Sequence, residues 1–244
     1  MRTDAFIEAV CKNQKGERLD EFRQGLPIGK DENGEILIAQ KREKPLSVRN
    51  TCVTGAGRTE FIRQLIVVLS CLFDKEETSF FVLSPHVEYG ELLRLNSVDI
   101  TVPYIRSQED IESAKETLKE LVRIRSMGAG HPRLFVVLDG LDELPDSKES
   151  GELEEYRAIN ELLMRKKDID IITGVDLSKS IFAGYPGAFL GIGNCLVTTR
   201  EKGEADVTYV GEDSSLTLPV PMIYPSEPSV LDSIAFLNNV PARE

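Results

Sequence analysis

Two stretches carry residues whose types and spacing could do chemistry. "CVTGAGRT" (Cys52–Thr59) joins an apolar run to a helical pattern through a glycine turn. Such a turn presents backbone N–H groups and a helix N-terminus to phosphate oxygens. The usual spacing is GxxxxGK[ST], with lysine on the β/γ-phosphates and the hydroxyl on Mg²⁺. Gly57 and Thr59 fit it, whereas Cys52 stands at the first glycine and Arg58 at the lysine. Arginine keeps the charge, but its planar fork is bulkier than a compact ammonium. The second stretch, "LFVVLDGLDEL" (Leu134–Leu144), is an apolar run ending in Asp139. A phosphate-loop enzyme places its Mg²⁺-coordinating aspartate at such a strand end.

Together these stretches define a candidate nucleotide site. Thr54, Gly55, Ala56, Gly57, Arg58 and Thr59 would form the phosphate cradle, and Thr59 with Asp139 would hold Mg²⁺. The residue after the aspartate, where many such ATPases carry a water-activating glutamate, is Gly140. Acids return at Asp142 and Glu143. These two either cap the next helix or, as in NACHT-type sequences with a small residue after the aspartate, position water as weak catalytic candidates. An isolated glycine turn can also join strand to helix and bind nothing. A dinucleotide reading is excluded: "VTGAGR" opens many short-chain dehydrogenases, but those need a tyrosine with lysine four residues on. Here that position holds Leu93, Gln108, Asn160, Phe189, Asp213 or Pro228.

The surrounding pattern supplies elements to hold the two stretches. "RTEFIRQLIVVLSCLF" is apolar nearly all round and predicts a buried helix. "TSFFVLSP", "DITVPYI" and "IDIITGV" predict strands, "VEYGELLRL" a short helix, and the run from Ser47 to Val53 the strand feeding the turn. "SQEDIESAKETLKELVRIRSM" predicts a long helix with Ser107 at its N-cap. "ELEEYRAINELLMRKK" reads as an amphipathic helix. "CLVTT", "DVTYV" and "LTLPVPM" predict short antiparallel edge strands, and "SVLDSIAFLNN" a closing helix. Asn33-Gly34 marks a turn into another short strand. Strands alternating with helices predict a mainly parallel sheet covered on both faces. Residues 1–25 are expected to form an N-terminal helical segment and 26–240 a single domain.

Composition narrows the partners. The 244 residues carry a net charge of −12, with a pI near 4.8. Binding to nucleic acid rests largely on phosphate charge, so this balance disfavours DNA. Four scattered cysteines and two histidines give no zinc spacing. The longest apolar run, Leu65–Phe73, is too short for a bilayer. A cytoplasmic protein without direct membrane insertion is expected.

The ordered segments resemble the motor domain of the FtsK/SpoIIIE family of ring-forming DNA translocases. "LPIGKDENGEILIAQ" is similar to the family's opening GKD segment, and "FFVLSPHVEYGELLRL" to its "FIMIDPK"-type strand, with Ser84 and His86 replacing the acid and base. The valine-proline strand with the following arginine-ended helix, "FLGIGNCLV" and the last strand and helix follow in the same order, covering about Leu26 to Asn239. The resemblance implies a RecA-like P-loop fold, ATP with Mg²⁺, and a ring of subunits or other protein partners.

It also marks departures at the site. Beyond Arg58, Cys52 and Gly140, the family's γ-phosphate-sensing Thr-Gln-Arg is Gly174, Val175 and Asp176. The next segment, "LSKSIFAGYPGAF", is shortened and lacks the arginine that reaches a neighbouring subunit; nothing local marks Arg200 as its substitute. The chain thus resembles a degenerate member, a pseudo-ATPase acting as an interaction or regulatory module. Similar modules occur in EssC-like type VII secretion ATPases. The alternatives are an active NTPase using Asp142 or Glu143, and a DNA translocase motor.

Overall fold

The computed structural model describes residues 10, 26–39, 49–127, 130–143, 159, 169–176, 195–200, 203–209, 220–223 and 230–239. Its strands are β1 (Leu26–Lys30), β2 (Ile36–Ala39), β3 (Arg49–Gly55), β4 (Thr78–Leu83), β5 (Asp99–Thr101), β6 (Arg133–Asp139), β7 (Ile169–Gly174), β8 (Cys195–Thr199), β9 (Glu204–Tyr209) and β10 (Val220–Ile223). The helices are α1 (Arg58–Leu72), α2 (Gln108–Met127) and α3 (Val230–Asn239), with 3₁₀ turns at Val87–Arg94 and Leu141–Glu143. All ten strands form one sheet in the order β2-β1-β10-β9-β8-β3-β7-β6-β4-β5. From β8 to β5 neighbouring strands run parallel. From β8 outward to β2 they run antiparallel.

Strand alternation sorts the core onto two faces. Val53, Phe80, Val82, Phe135, Val137, Ile172 and Val197 pack with α1. Cys52, Phe81, Leu83, Leu134, Val136, Leu138 and Ile171 pack with Ile111, Ala114, Leu118 and Val122 of α2. Every residue of α1 from Phe61 to Leu72 is buried, in agreement with its all-round apolar pattern. Each fully buried large apolar side chain contributes about 1.5–3 kcal/mol, so α1 anchors its face of the sheet. Ser107 caps α2 as expected: its hydroxyl accepts from the Asp110 N–H at 3.3 Å, and Asp110 accepts the Ser107 N–H at 3.1 Å.

Three expectations shift. The strand feeding the glycine turn continues to Gly55 rather than ending at Val53. "CLVTT" is an interior strand, parallel to β3 on one side and antiparallel to β9 on the other. Its burial alternates, which in sequence reads as an edge. "VEYGELLRL" forms the expected short helix, wound as 3₁₀ over Val87–Arg94. "DITVPYI" keeps only Asp99–Thr101 as strand. At the Asn33-Gly34 turn Gly34 takes φ 81° and Asp31 accepts the Asn33 and Glu35 N–H groups, joining β1 to β2 as expected. The expected helices at the N-terminus and around Ile159 lie outside the described residues except Val10 and Ile159, both helical and buried. Among the described residues no helix is long and apolar enough to cross a membrane.

Candidate functional site

Because only β7 separates β3 from β6 in a parallel sheet, the glycine turn and Asp139 meet at the same carboxyl edge. Ligands of open α/β sheets bind at that edge. Alternation does the rest: Phe135 and Val137 face α1, so Asp139, two residues on, does too. A helical side chain leans toward its helix N-terminus. Arg58, the first residue of α1, is thereby carried to the end of β6.

The result is a closed polar cluster around a carboxylate with no solvent exposure. Arg58 Nε donates to Asp139 Oδ1 at 3.1 Å, and its terminal nitrogen donates to Glu143 Oε1 in the 3₁₀ turn. Thr59 Oγ1 and the Tyr89 hydroxyl both donate to Asp139 Oδ2, at 2.7 and 2.9 Å. Tyr89 is itself fully buried. Burial first, then the Asp139 charge, push its phenol well above the usual tyrosine range, so it stays a donor at any physiological pH. His86 Nε2 lies 3.9 Å from Asp139 Oδ2 and 3.7 Å from Glu143 Oε2.

Two glycines are explained by what crowds them. Gly140 takes φ +70°, and a Cβ there would overlap the His86 ring. A side chain at this position, where the resemblance implies a water-activating carboxylate, would strain the backbone and have to displace His86. A Cβ at Gly174 would overlap Asp139 Oδ1 and the Ile62 side chain. Val175, next to it, is fully buried, and its N–H bonds to the Val53 carbonyl at 3.0 Å. Gly174 and Val175, where the resemblance implies part of a γ-phosphate sensor, are thus wall and core.

The turn differs from a phosphate loop as well. In the usual order the strand ends before the first glycine and the loop follows. Here β3 stays in register with β8 through Thr54↔Thr198 and Gly55↔Thr199, and Thr199 Oγ1 donates to the Thr54 carbonyl at 2.9 Å. Cys52, at the first-glycine position, is buried inside β3. Burial pushes its thiol up to about 12, with a further push from Cys195. Only Ala56 and Gly57 remain as turn, exposed with Gly55, and Gly57 at φ 77° caps α1 without a side-chain bond.

Of the expected site residues, Arg58, Thr59, Asp139 and Glu143 converge, while Thr54 and Gly55 lie in strand. Asp142 falls in the same 3₁₀ turn as Glu143; its side chain lies outside the described set. Tyr89 was not singled out in the sequence; its place after a buried strand was the available signal. As arranged, these residues do not fit a magnesium ion. Each Asp139 oxygen already accepts from the protein, and the guanidinium holds the flank that an octahedral metal with its waters needs.

By sequence, no protein-family model and no characterised protein matches the chain. By structure it is similar to the cytoplasmic domain of the type VII secretion ATPase EccC from Thermomonospora curvata, at TM-score 0.58 and 16% identity, over 96% of this chain and 33% of that one. It is similar to EssC (ATPases 2 and 3) from Geobacillus thermodenitrificans at TM-score 0.54 and 13% identity, over 89% and 50%. The pCW3 conjugation coupling protein TcpA, solved with ATPγS, matches at TM-score 0.51 and 13% identity, over 92% and 73%. The fold is therefore that of RecA-like P-loop ATPase modules, as the FtsK/SpoIIIE resemblance implies. The chain spans a third of the EccC domain and half of the EssC chain.

Proposed function

We propose that this chain is a RecA-type ATPase module that no longer turns over ATP and serves as an interaction or regulatory domain. The observation that carries this reading is Gly140. At its left-handed backbone, a catalytic carboxylate would be strained and would have to displace the His86 ring beside it. Glu143, the nearest replacement, is engaged by Arg58. Losing the base, the lysine and the finger arginine removes stabilisers each worth orders of magnitude in rate. ATP–Mg²⁺ binding is residual or lost, because the cradle is shortened and the metal flank is filled. We take residues 26–240 as one cytoplasmic domain.

The partners we favour are proteins or further copies of the chain in a ring. A charge of −12 is a poor match for DNA, so a translocase motor is disfavoured. Similarity to EccC and EssC supports a place beside catalytic subunits in a secretion-type assembly. The test is steady-state phosphate release with thermal melting in Mg-ATP. The expected result is no turnover above the blank and no saturable shift. Turnover abolished by Asp142→Ala or Glu143→Ala would restore the active NTPase. A saturable stabilisation lost in Asp139→Asn, without turnover, would leave a nucleotide-binding module.

A further inference from the structure

We propose that Arg58 is the resident cation of this site: its guanidinium bridges Asp139 and Glu143 where a divalent ion would otherwise do so, over a latent oxygen-ligand metal site. This deepens the preceding reading of the same site and rests on it for the site's location. A fully buried carboxylate requires a counter-charge and donors. Arg58 supplies the charge, and its rigid fork spans two acids on different elements, Asp139 at the end of β6 and Glu143 in the following turn. A compact lysine ammonium cannot bridge both in this way. Arg58 itself is only 8% exposed, so the pair is shielded from solvent.

The remaining groups are mainly hard oxygen donors, with the His86 Nε2 nitrogen 3.7 Å from Glu143 Oε2 beside them. Both Asp139 oxygens, the Glu143 carboxylate, Thr59 Oγ1 and the Tyr89 hydroxyl surround the guanidinium or share its partner. Oxygen sets of this kind suit Mg²⁺, Mn²⁺ or Ca²⁺ rather than zinc. The described residues contain no group of three or more His, Cys, Asp or Glu poised for a metal, so carboxylates alone do not make the site. Removing the guanidinium is what exposes it. With Arg58 present, the two acids are bridged within the chain, and the closed arrangement forms without metal.

The experiment titrates Mn²⁺ alone, with no nucleotide, into the whole chain and reads free Mn²⁺ by electron paramagnetic resonance. Wild type is expected to show no saturable site. Arg58→Ala, and more weakly Arg58→Gln, are expected to gain one at least about tenfold tighter than any wild-type binding. That site should vanish in Arg58→Ala/Asp139→Asn. Melting temperature should fall in Arg58→Ala and recover with Mn²⁺ or with the second substitution. Saturable Mn²⁺ binding by wild type that is lost in Asp139→Asn overturns the proposal, yet leaves the absence of turnover standing. A folded Arg58→Ala that gains no site overturns it too. If Arg58→Ala does not fold, the double variant decides: restored folding supports charge balance, and continued failure overturns it.

Discussion

Strand β6 carries an arginine–aspartate pair at each end, and the two ends behave differently. At the amino end Arg133 pairs with Asp170 of the adjacent strand β7. Its guanidinium also lies over the Phe135 ring at 4.9 Å and the Phe73 ring at 6.0 Å. This pair staples neighbouring strands among aromatic side chains. At the carboxyl end Arg58 arrives from α1, and the acid it meets also takes two hydroxyls, from Thr59 and Tyr89. Glycines with positive φ, Gly55, Gly57 and Gly140, line that edge. Both acids are fully buried and face an arginine. What differs is the surrounding: one pair sits among aromatic side chains, the other among hydroxyls beside the glycine turn.

The largest effect should come from breaking either pair. Asp139→Ala takes the buried acid from Arg58, leaving it Glu143, and Asp170→Ala takes the buried acid from Arg133, each at a cost of about 3–5 kcal/mol by denaturant unfolding. The comparison sharpens when both partners become apolar. Arg133→Met/Asp170→Leu is expected to recover most of the loss, because aromatic core already surrounds it. Arg58→Met/Asp139→Leu is not expected to recover, since the Thr59 and Tyr89 hydroxyls lose their acceptor. Equal recovery at both ends would erase the distinction.

Smaller changes probe the carboxyl end alone. Tyr89→Phe removes a buried hydrogen bond to a carboxylate and should cost about 1.5–3 kcal/mol, measured the same way. Gly140→Ala should cost about 1–2 kcal/mol for the left-handed backbone, with added loss from displacing His86, visible as a shifted His86 ring resonance. The weakest effect concerns the thiols near the turn. Burial raises Cys52 from 9.0 to about 12 and Cys195 to about 11, so folding favours both protonated thiols. That contribution is complete below pH 9 and is lost as pH climbs through the folded values. Stability should therefore decline above pH 9 less steeply in Cys52→Ser than in wild type, when each is normalised to its value at neutral pH.

Much of this site could be read in the chain before its structure. Asp139 at the end of an apolar run, the buried helix after the glycine turn and the parallel sheet all follow from alternation and period. The direction of Arg58 did not, because a cation at the lysine position serves phosphates or carboxylates equally well on paper. Only the shared parity of Val137 and Asp139, with α1 on that face, decides for the carboxylate. Tyr89 escaped because a 3₁₀ segment lacks the 3.6-residue signature that marks buried positions. The extra length of β3 escaped because Thr54 and Gly55 look like loop, whereas pairing with β8 draws them into the sheet. Gly140 was legible as a missing glutamate, but the reason for it, the His86 ring, is a tertiary fact.

Arg58 is committed by its hydrogen bonds to Asp139 and Glu143. Its Nε–H resonance, assigned by its loss in Arg58→Lys, reports that commitment in an ¹⁵N-correlated NMR spectrum. The expected result is a slowly exchanging Nε–H signal whose position does not change on adding millimolar Mg-ATP. A signal that exchanges freely, or moves saturably with Mg-ATP, would contradict it.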